Sequence, residues 1–179
     1  MVAGLGHGTV TRRGACLQPA QAAHLAVLAQ EIAAERSQVI GQRTRQELQR
    51  IEIGHNGQAN TLSGTQDIMF YQIGLPIVPN LDTLKFLPGA LADHLTSFGG
   101  DLLGQNGQMS SLRWLDAGAT ASYGTVSEPC NHWQKFPQPQ ILLKAYLSGA
   151  SAIEAYWKSV AWPTQGLFIG EPLAAPYHR

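Results

Sequence analysis

Asp93, His94, Thr96 and Ser97 form the densest group of polar side chains at the end of a predicted strand. A base beside a hydroxyl is the arrangement that nucleophilic catalysis requires. Adjacent strand residues point to opposite faces, so Asp93 and His94 enter one pocket only if the strand bends. The alternative is a structural role, in which Asp93 or His94 anchors the following Gly99-Gly100 turn by hydrogen bonds.

A second group with chemically active side chains lies further along the chain, where Glu128, Cys130 and His132 follow one another closely. A thiol, a carboxylate and an imidazole suit a nucleophilic or a metal-binding loop. The spacing is too short for the usual structural zinc patterns, so we expect no metal and no cofactor. Cys130 is otherwise a buried and inert cysteine, because a reactive thiolate needs a lowered pKa, and Glu128 is then the better polar candidate.

The candidate site residues form two sets. The catalytic candidates are His94, Ser97, Cys130 and His132. The substrate-binding candidates are Asp93, Thr96, Tyr123, Thr125 and Glu128. Backbone amides at Gly99-Gly100 and Gly124-Thr125 also suit an anionic group, but neither sequence matches a phosphate-binding loop or a dinucleotide fingerprint.

The four tryptophans admit two interpretations. They form a carbohydrate or peptide platform, or they are core and lid residues, which is the more common role at helical spacing. They are Trp114, Trp133, Trp157 and Trp162.

The composition excludes some classes of partner. Twelve Lys and Arg balance twelve Asp and Glu, so no net field attracts nucleic acid or an anionic membrane surface. Charged residues make up 13% of the chain and apolar residues 44%, which is typical of a folded protein. No apolar run approaches the roughly 18 residues of a spanning helix, and the N-terminus lacks the pattern of a signal peptide. We expect neither a nucleic-acid partner nor a membrane span.

The chain divides into three regions. Residues 1–18 are rich in glycine with little periodicity, which predicts a loose N-terminal segment. Residues 19–66 are predicted to be a helix followed by a loop with Asn-Gly turn chemistry. Residues 67–179 are predicted to be an α/β domain. The cysteines, Cys16 and Cys130, do not make a disulfide framework and leave the redox compartment open.

Strands and helices alternate through the third region. The predicted strands are 68–73, which we expect to be central in the sheet, 90–96, 119–126 and 166–170. The predicted helices run from Ser110 or Ser111 to Asp116, from Pro139 to Leu147, and onward from a capping box formed by Ser151 and Glu154. A short helical turn is predicted over 81–86. The alternation predicts an α/β fold whose mainly parallel sheet is flanked by helices, with ligand sites at the carboxyl ends of the strands.

Three linked motifs resemble the C-terminal half of caspase-fold, gingipain-like cysteine peptidases. They are Gly118-Ala-Thr-Ala-Ser-Tyr-Gly-Thr-Val, Ser148-Gly-Ala-Ser-Ala-Ile-Glu-Ala-Tyr-Trp and Phe168-Ile-Gly-Glu-Pro-Leu. Three further motifs resemble more closely an uncharacterised bacterial family found alongside exosortase protein-sorting systems. They are Asp93-His-Leu-Thr-Ser-Phe-Gly-Gly, Tyr123-Gly-Thr-Val-Ser-Glu-Pro-Cys-Asn and Glu154-Ala-Tyr-Trp-Lys-Ser-Val. The resemblance spans 67–177 and implies a caspase-like α/β sheet, an extracytoplasmic (periplasmic or secreted) setting and a longer parent protein.

The resembled peptidases carry a His after one sheet strand and a Cys after the next. Here the first predicted strand is followed by Gly74-Leu-Pro and the second by Ser97, so both positions are substituted. The resemblance therefore favours a non-catalytic or recognition domain of a surface-protein processing system, which binds an extended peptide at a strand edge or in the carboxyl-end cleft. The alternative is a hydrolase that uses Ser97 or Cys130 with His94 or His132. A truncated domain with an exposed sheet edge would also form oligomers.

Overall fold

A computed structural model describes residues 61–127 and 132–178 of the chain. The predictions for the loose segment 1–18, for the helix within 19–66 and for Cys16 lie outside the described residues.

The described residues form a four-stranded sheet with the strands in chain order. The strands β1 and β2 are parallel, β2 and β3 are parallel, and β4 runs antiparallel to β3. Their bounds are Ile68–Ile73 (β1), Phe86–His94 (β2), Ala121–Thr125 (β3) and Gly166–Gly170 (β4). The predicted α/β class with a mainly parallel sheet is confirmed.

Within residues 61–127 and 132–178, three α-helices accompany the sheet. They are Leu112–Asp116 (α1), Pro139–Leu147 (α2) and Ala152–Ser159 (α3). Short 3₁₀ turns are formed by Leu81–Thr83, Trp133–Lys135 and Pro163–Gln165. Among the described residues, no helix is both long enough and apolar enough to cross a membrane.

Local chemistry explains where these helices begin and end. Pro139 occupies the first turn of α2, where a missing N–H is harmless. The capping box predicted before α3 is present, and Glu154 Oε2 accepts from the backbone amide and the hydroxyl of Ser151, both at 2.9 Å. Gly118 follows α1 with φ of 100°, the left-handed conformation in which helices commonly end. Ser111 is the N-cap residue of α1, but its side chain makes no capping hydrogen bond.

Two predictions about β1 and β2 are wrong. In the described sheet β1 lies at an edge and not in the centre, because it pairs with β2 alone. The strand β2 begins at Phe86, earlier than predicted, and therefore contains Pro88. The pairing with β1 is irregular at this point, since Ile68 is opposite Phe86 whereas Phe70 is opposite Leu91. A proline without an N–H is tolerated where the ladder is interrupted in this way.

The sheet separates two hydrophobic clusters, and alternation along β2 assigns its side chains between them. Leu91 belongs to the cluster that α2 and α3 cover, together with Tyr156. Ala92 belongs to the opposite cluster, which is built around Trp114 of α1. Because successive strand residues alternate, Asp93 faces the α2 and α3 side and His94 faces Trp114. The expected separation of the two side chains is confirmed.

Candidate functional site

The carboxylate of Asp93 is fully buried and accepts hydrogen bonds from three neighbouring elements. Its Oδ1 accepts from the backbone amide of Tyr123 at 2.8 Å and from the hydroxyl of Tyr156 at 2.9 Å. The hydroxyl of Ser122 donates to the same oxygen at 3.4 Å, and Gln72 Nε2 reaches Oδ2 at 3.5 Å. This carboxyl therefore links β1, β2, β3 and α3.

The environment of Asp93 favours its neutral form. Burial raises the pKa of its carboxyl to about 7, while the hydrogen bonds from Tyr123, Tyr156, Gln72 and Ser122 act in the opposite direction. The same setting raises the pKa of Tyr123 to about 12, first through burial and then through the charge of Asp93. Burial and Asp93 also raise the pKa of Tyr156. A carboxyl with a pKa near neutrality is a candidate proton donor or acceptor, but the described residues bury Asp93 completely.

His94 lies on the other face of the sheet, and both of its ring nitrogens are hydrogen-bonded. The indole N–H of Trp114 donates to Nδ1 at 3.0 Å. Because Nδ1 accepts, the proton of the neutral ring is on Nε2, which donates to the carbonyl of Met109 at 2.6 Å. Burial lowers the pKa of His94 to about 4, against the opposing effect of the Met109 bond. The imidazole is neutral at pH 7 and its accepting nitrogen is occupied, so it is not placed to act as a general base.

Thr96 and Ser97 follow β2 and are both buried, but only Thr96 is hydrogen-bonded through its side chain. Its hydroxyl donates to Gln108 Oε1 at 2.7 Å, and the amide of Phe98 donates to the same oxygen at 2.7 Å. The hydroxyl of Thr125 donates to the Thr96 carbonyl. Ser97 Oγ has no hydrogen-bond partner within the described residues. The structure therefore brings Thr96 and Thr125 together and leaves Ser97 without a base.

The glycine turns beside this group are packed too closely to hold an anion. The amide of Gly100 donates to the carbonyl of Thr125 at 2.8 Å, which removes it as a donor to a ligand. A Cβ at Gly124 would meet Gly100 N and Ser111 Oγ, and a Cβ at Gly100 would meet the Gly124 carbonyl. These glycines let two backbones approach each other, and the contact leaves no room for a phosphate-sized group.

The second candidate group is described only in part. Glu128 and Cys130 lie outside the described residues, so their predicted roles stay predictions. His132 is exposed, and its ring centroid is 5.4 Å from that of Trp162. Within the ranges 61–127 and 132–178, no cluster of His, Cys, Asp and Glu has the composition of a metal site.

The tryptophans differ in their exposure. Trp114 is fully buried and packs edge-on against Tyr71, with ring centroids 5.3 Å apart. The other three are exposed, so the core interpretation is wrong for Trp133, Trp157 and Trp162.

Sequence reasoning missed two residues of the site. Tyr156 lies on α3, and the partner of its hydroxyl, Asp93, is 63 residues away in the chain. Gln108 carried no recognisable motif, although its side chain joins Thr96 to Phe98. A buried Tyr usually finds a partner for its hydroxyl, but the sequence does not show which residue that partner is.

The described polar residues thus hydrogen-bond mainly to one another, and the arrangement holds the carboxyl ends of β2 and β3 in a fixed position. No known protein family, curated protein or solved structure matches this chain significantly.

Proposed function

We propose that this chain is a non-catalytic peptide-recognition domain of a bacterial surface-protein processing or sorting system, built on a caspase-like α/β core. The family resemblance of its motifs supports the setting, including an extracytoplasmic location. Its partner is an extended peptide or a protein segment, bound at the carboxyl ends of the strands or along a sheet edge.

The observation that carries the proposal is the state of His94. A peptidase of the resembled kind needs an imidazole that accepts a proton from a nucleophile. His94 accepts instead from Trp114 and donates to Met109, and burial lowers the pKa of its ring to about 4. An imidazole held in this way stabilises the fold and is withdrawn from proton transfer.

The residues after the two parallel strands support the same conclusion. The resembled peptidases place their His after one strand and their Cys after the next. Here Gly74-Leu-Pro follows β1, and Leu95, Thr96 and Ser97 follow β2. Ser97 has a hydroxyl in place of a thiol, and within the described residues that hydroxyl has no base to activate it.

The sheet offers a physical mode of binding. Within the described residues β1 and β4 are the two outer strands, and each presents one side to which an extended segment can add. Peptides bound in this way gain main-chain hydrogen bonds, and side-chain pockets supply specificity. The same edges would pair two copies of the chain into an oligomer.

Two assays on purified protein test the proposal. The first measures cleavage of a fluorogenic peptide library, and the second selects binders from a phage-displayed library of random peptides. We expect no cleavage above that of buffer and saturable binding of selected peptides. Binding should persist in the double variant Ser97→Ala, Cys130→Ala, because neither side chain serves as a nucleophile.

The alternative hydrolase gives the opposite results. Cleavage that disappears in Ser97→Ala or in Cys130→Ala would establish a nucleophile and overturn the non-catalytic assignment. Failure to select any saturable binder would overturn peptide recognition. The variant Ser97→Ala is a clean probe, since it removes a hydroxyl without a partner in the described residues and is expected to fold.

A further inference from the structure

The loop that follows β2 contains an exposed Asn106-Gly107 pair whose side-chain amide is held by a carboxylate. Asn106 Nδ2 donates to Asp101 Oδ2 at 2.6 Å, and the backbone amide of Asn106 donates to the same oxygen at 3.1 Å. The amide of Gln105 donates to this oxygen at 2.8 Å. One carboxylate oxygen therefore closes the loop by three hydrogen bonds, which are stronger than neutral ones because the acceptor is charged.

Asn-Gly pairs are prone to a reaction within the chain itself. The backbone nitrogen of the glycine attacks Cγ of the asparagine, because a glycine has no Cβ to hinder the approach. A bond forms between this nitrogen and Cγ, the bond between Cγ and Nδ2 breaks, and ammonia leaves with the proton that the glycine nitrogen gives up. Water then opens the resulting succinimide and leaves either an aspartate or an isoaspartate.

The attacking group of this reaction is free in the structure. Asn106 and Gly107 are both exposed, so water reaches them. The amide of Gly107 donates no hydrogen bond to any residue within 61–127 and 132–178. Gly107 has a φ of 69°, and apart from its chain neighbours no atom lies within 4 Å of the position that a Cβ would take. Neither a hydrogen bond nor a packed neighbour opposes the approach of the Gly107 nitrogen.

The hydrogen bonds to Asp101 hold the group that is attacked. One oxygen contacts both Nδ2 and the backbone amide of Asn106, so the side chain is folded back toward the backbone nitrogen of its own residue. Cγ must turn from there to the nitrogen of Gly107 before the ring can close. This turn breaks the 2.6 Å bond to Asp101, and a hydrogen bond to a charged group opposes it strongly.

The product of the reaction does not suit the closed loop. The donating Nδ2 is replaced by a carboxylate oxygen, which repels the carboxylate of Asp101. Leu103, Gly104 and Gly107 of this loop line an open surface cleft of about 350 Å³. Opening of the loop therefore changes one wall of the cleft, and the change is permanent because ammonia has left.

We propose that Asn106-Gly107 is a site of spontaneous succinimide formation and that Asp101 sets its rate. Asp101 is a positioning residue, since it exchanges no atom with the reacting groups and acts by holding the amide of Asn106. The reaction turns a loop that Asp101 closes into one that Asp101 opens. This inference goes beyond the proposed function and holds whatever the chain binds.

The test follows deamidation of the full chain in mildly alkaline buffer by chromatographic peptide mapping and mass spectrometry. Asn106 should react about tenfold faster or more in Asp101→Ala than in the wild type, because the charge-assisted bond is gone. Asp101→Asn should react at an intermediate rate, since its amide oxygen accepts from Asn106 without a charge. Circular dichroism checks that each variant is folded, and Asp101→Asn decides the test if Asp101→Ala unfolds.

Two controls isolate the effect of Asp101. The chain contains a second Asn-Gly pair, Asn56-Gly57, whose rate in the same digests should be equal in the wild type and in all variants. Asp116→Ala removes another exposed aspartate, which pairs with Arg113 on α1, and should leave the rate at Asn106 at the wild-type value.

The effect of the product on the loop is measured with Asn106→Asp, which carries the charge of the aspartyl product. Asn106→Ala is its matched control, because it loses the donor without adding a charge. The amides of Gln105 and of position 106 should exchange hydrogen faster in Asn106→Asp than in Asn106→Ala, because repulsion from Asp101 adds to the lost bond. Added salt should reduce the difference.

Four results would overturn the inference. Equal rates at Asn106 in the wild type and in a folded Asp101 variant would show that Asp101 does not set the rate. A rise of the same size at Asn56 would show a general loosening of the chain, and absence of reaction at Asn106 in urea would show that the pair is inert. Equal exchange in Asn106→Asp and Asn106→Ala would show that the product does not open the loop.

Discussion

The hydroxyl of Tyr156 donates a hydrogen bond of 2.9 Å to Oδ1 of Asp93, which joins the last helix to the second strand. The same oxygen accepts the amide of Tyr123 at 2.8 Å. This buried carboxyl, which links β1, β2, β3 and α3, affects the free energy of unfolding through both its hydrogen bonds and its proton. The consequences can be measured separately.

The stability of the protein depends on pH through two buried groups of opposite effect. Burial raises the pKa of Asp93 from 3.8 to about 7, so the native state holds a proton that the unfolded state releases. Its stabilising contribution is complete below 3.8 and is lost as the pH rises to about 7. Burial lowers the pKa of His94 from 6.5 to about 4, so its contribution is complete above 6.5 and is lost as the pH falls to about 4.

In the wild type these contributions oppose each other between about pH 4 and 6.5, so the free energy of unfolding should change little there. In Asp93→Asn it should rise with pH across that window, by on the order of 1 kcal/mol per unit, because His94 acts alone. In His94→Gln the free energy of unfolding should fall as the pH rises across the same window, because Asp93 then acts alone. Urea unfolding at a series of pH values measures the profiles, and the exposed Asp82→Asn is the control. A wild-type profile in Asp93→Asn would disprove the assignment.

Tyr156→Phe removes one donor from the buried carboxyl and should lower the free energy of unfolding by about 1–3 kcal/mol. The loss should be larger above pH 7 than at pH 5, because an ionised Asp93 needs the donor more. The bond from Tyr156 lowers the pKa of Asp93, so its removal raises that pKa.

Tyr123→Phe is the matched control for this prediction. It loses a hydroxyl that donates to the uncharged carbonyl of Pro163, so its effect should not change over the same pH range. Equal pH dependence in the two variants, measured by urea unfolding, would contradict the role of the Tyr156 hydroxyl.

Ser97→Ala should leave the free energy of unfolding unchanged or raise it by up to about 1 kcal/mol. The hydroxyl is buried and has no hydrogen-bond partner within the described residues, so its removal relieves a desolvation penalty. Thr96→Val should instead lose about 1 kcal/mol, because it breaks the hydrogen bond to Gln108. Thermal unfolding in which Ser97→Ala is the less stable of the two would show that Ser97 has a partner.

Gly124→Ala should destabilise the protein by about 3 kcal/mol, and it should disturb the carboxyl ends of β2 and β3. The added Cβ would meet the backbone of Gly99 and Gly100 as well as Ser111 Oγ, and backbone atoms cannot move aside as side chains do. Gly107→Ala is the comparison, because its φ is 69° but nothing lies near its Cβ. Gly107→Ala should lower the free energy of unfolding by about 1 kcal/mol, because an alanine is strained at a positive φ. If urea unfolding shows the same loss of free energy of unfolding in both variants, the backbone around Gly124 has moved to accommodate the added Cβ.

Several elements could be predicted from the sequence because their determinants are local. The helix Pro139–Leu147 has the predicted bounds, since a proline at its start and Gly149 after its end act within one turn. The capping box of Ser151 and Glu154 and the strand Gly166–Gly170 were predicted for the same reason. The sequence also indicated that Asp93 and His94 point to opposite faces, because alternation is a property of the strand itself.

Other features depend on where distant segments meet. The apolar run of β1 is equally compatible with a central or an outer strand, and only the order of the sheet puts it at the edge. The hydrogen bonds from Trp114 to His94 and from Tyr156 to Asp93 span 20 and 63 residues. A local pattern specifies that such side chains are buried, but the partner of a buried donor or acceptor is set by tertiary packing. Asp93, His94 and Thr96 therefore lie in a hydrogen-bonded network, because the fold brings each of them to a partner on another segment.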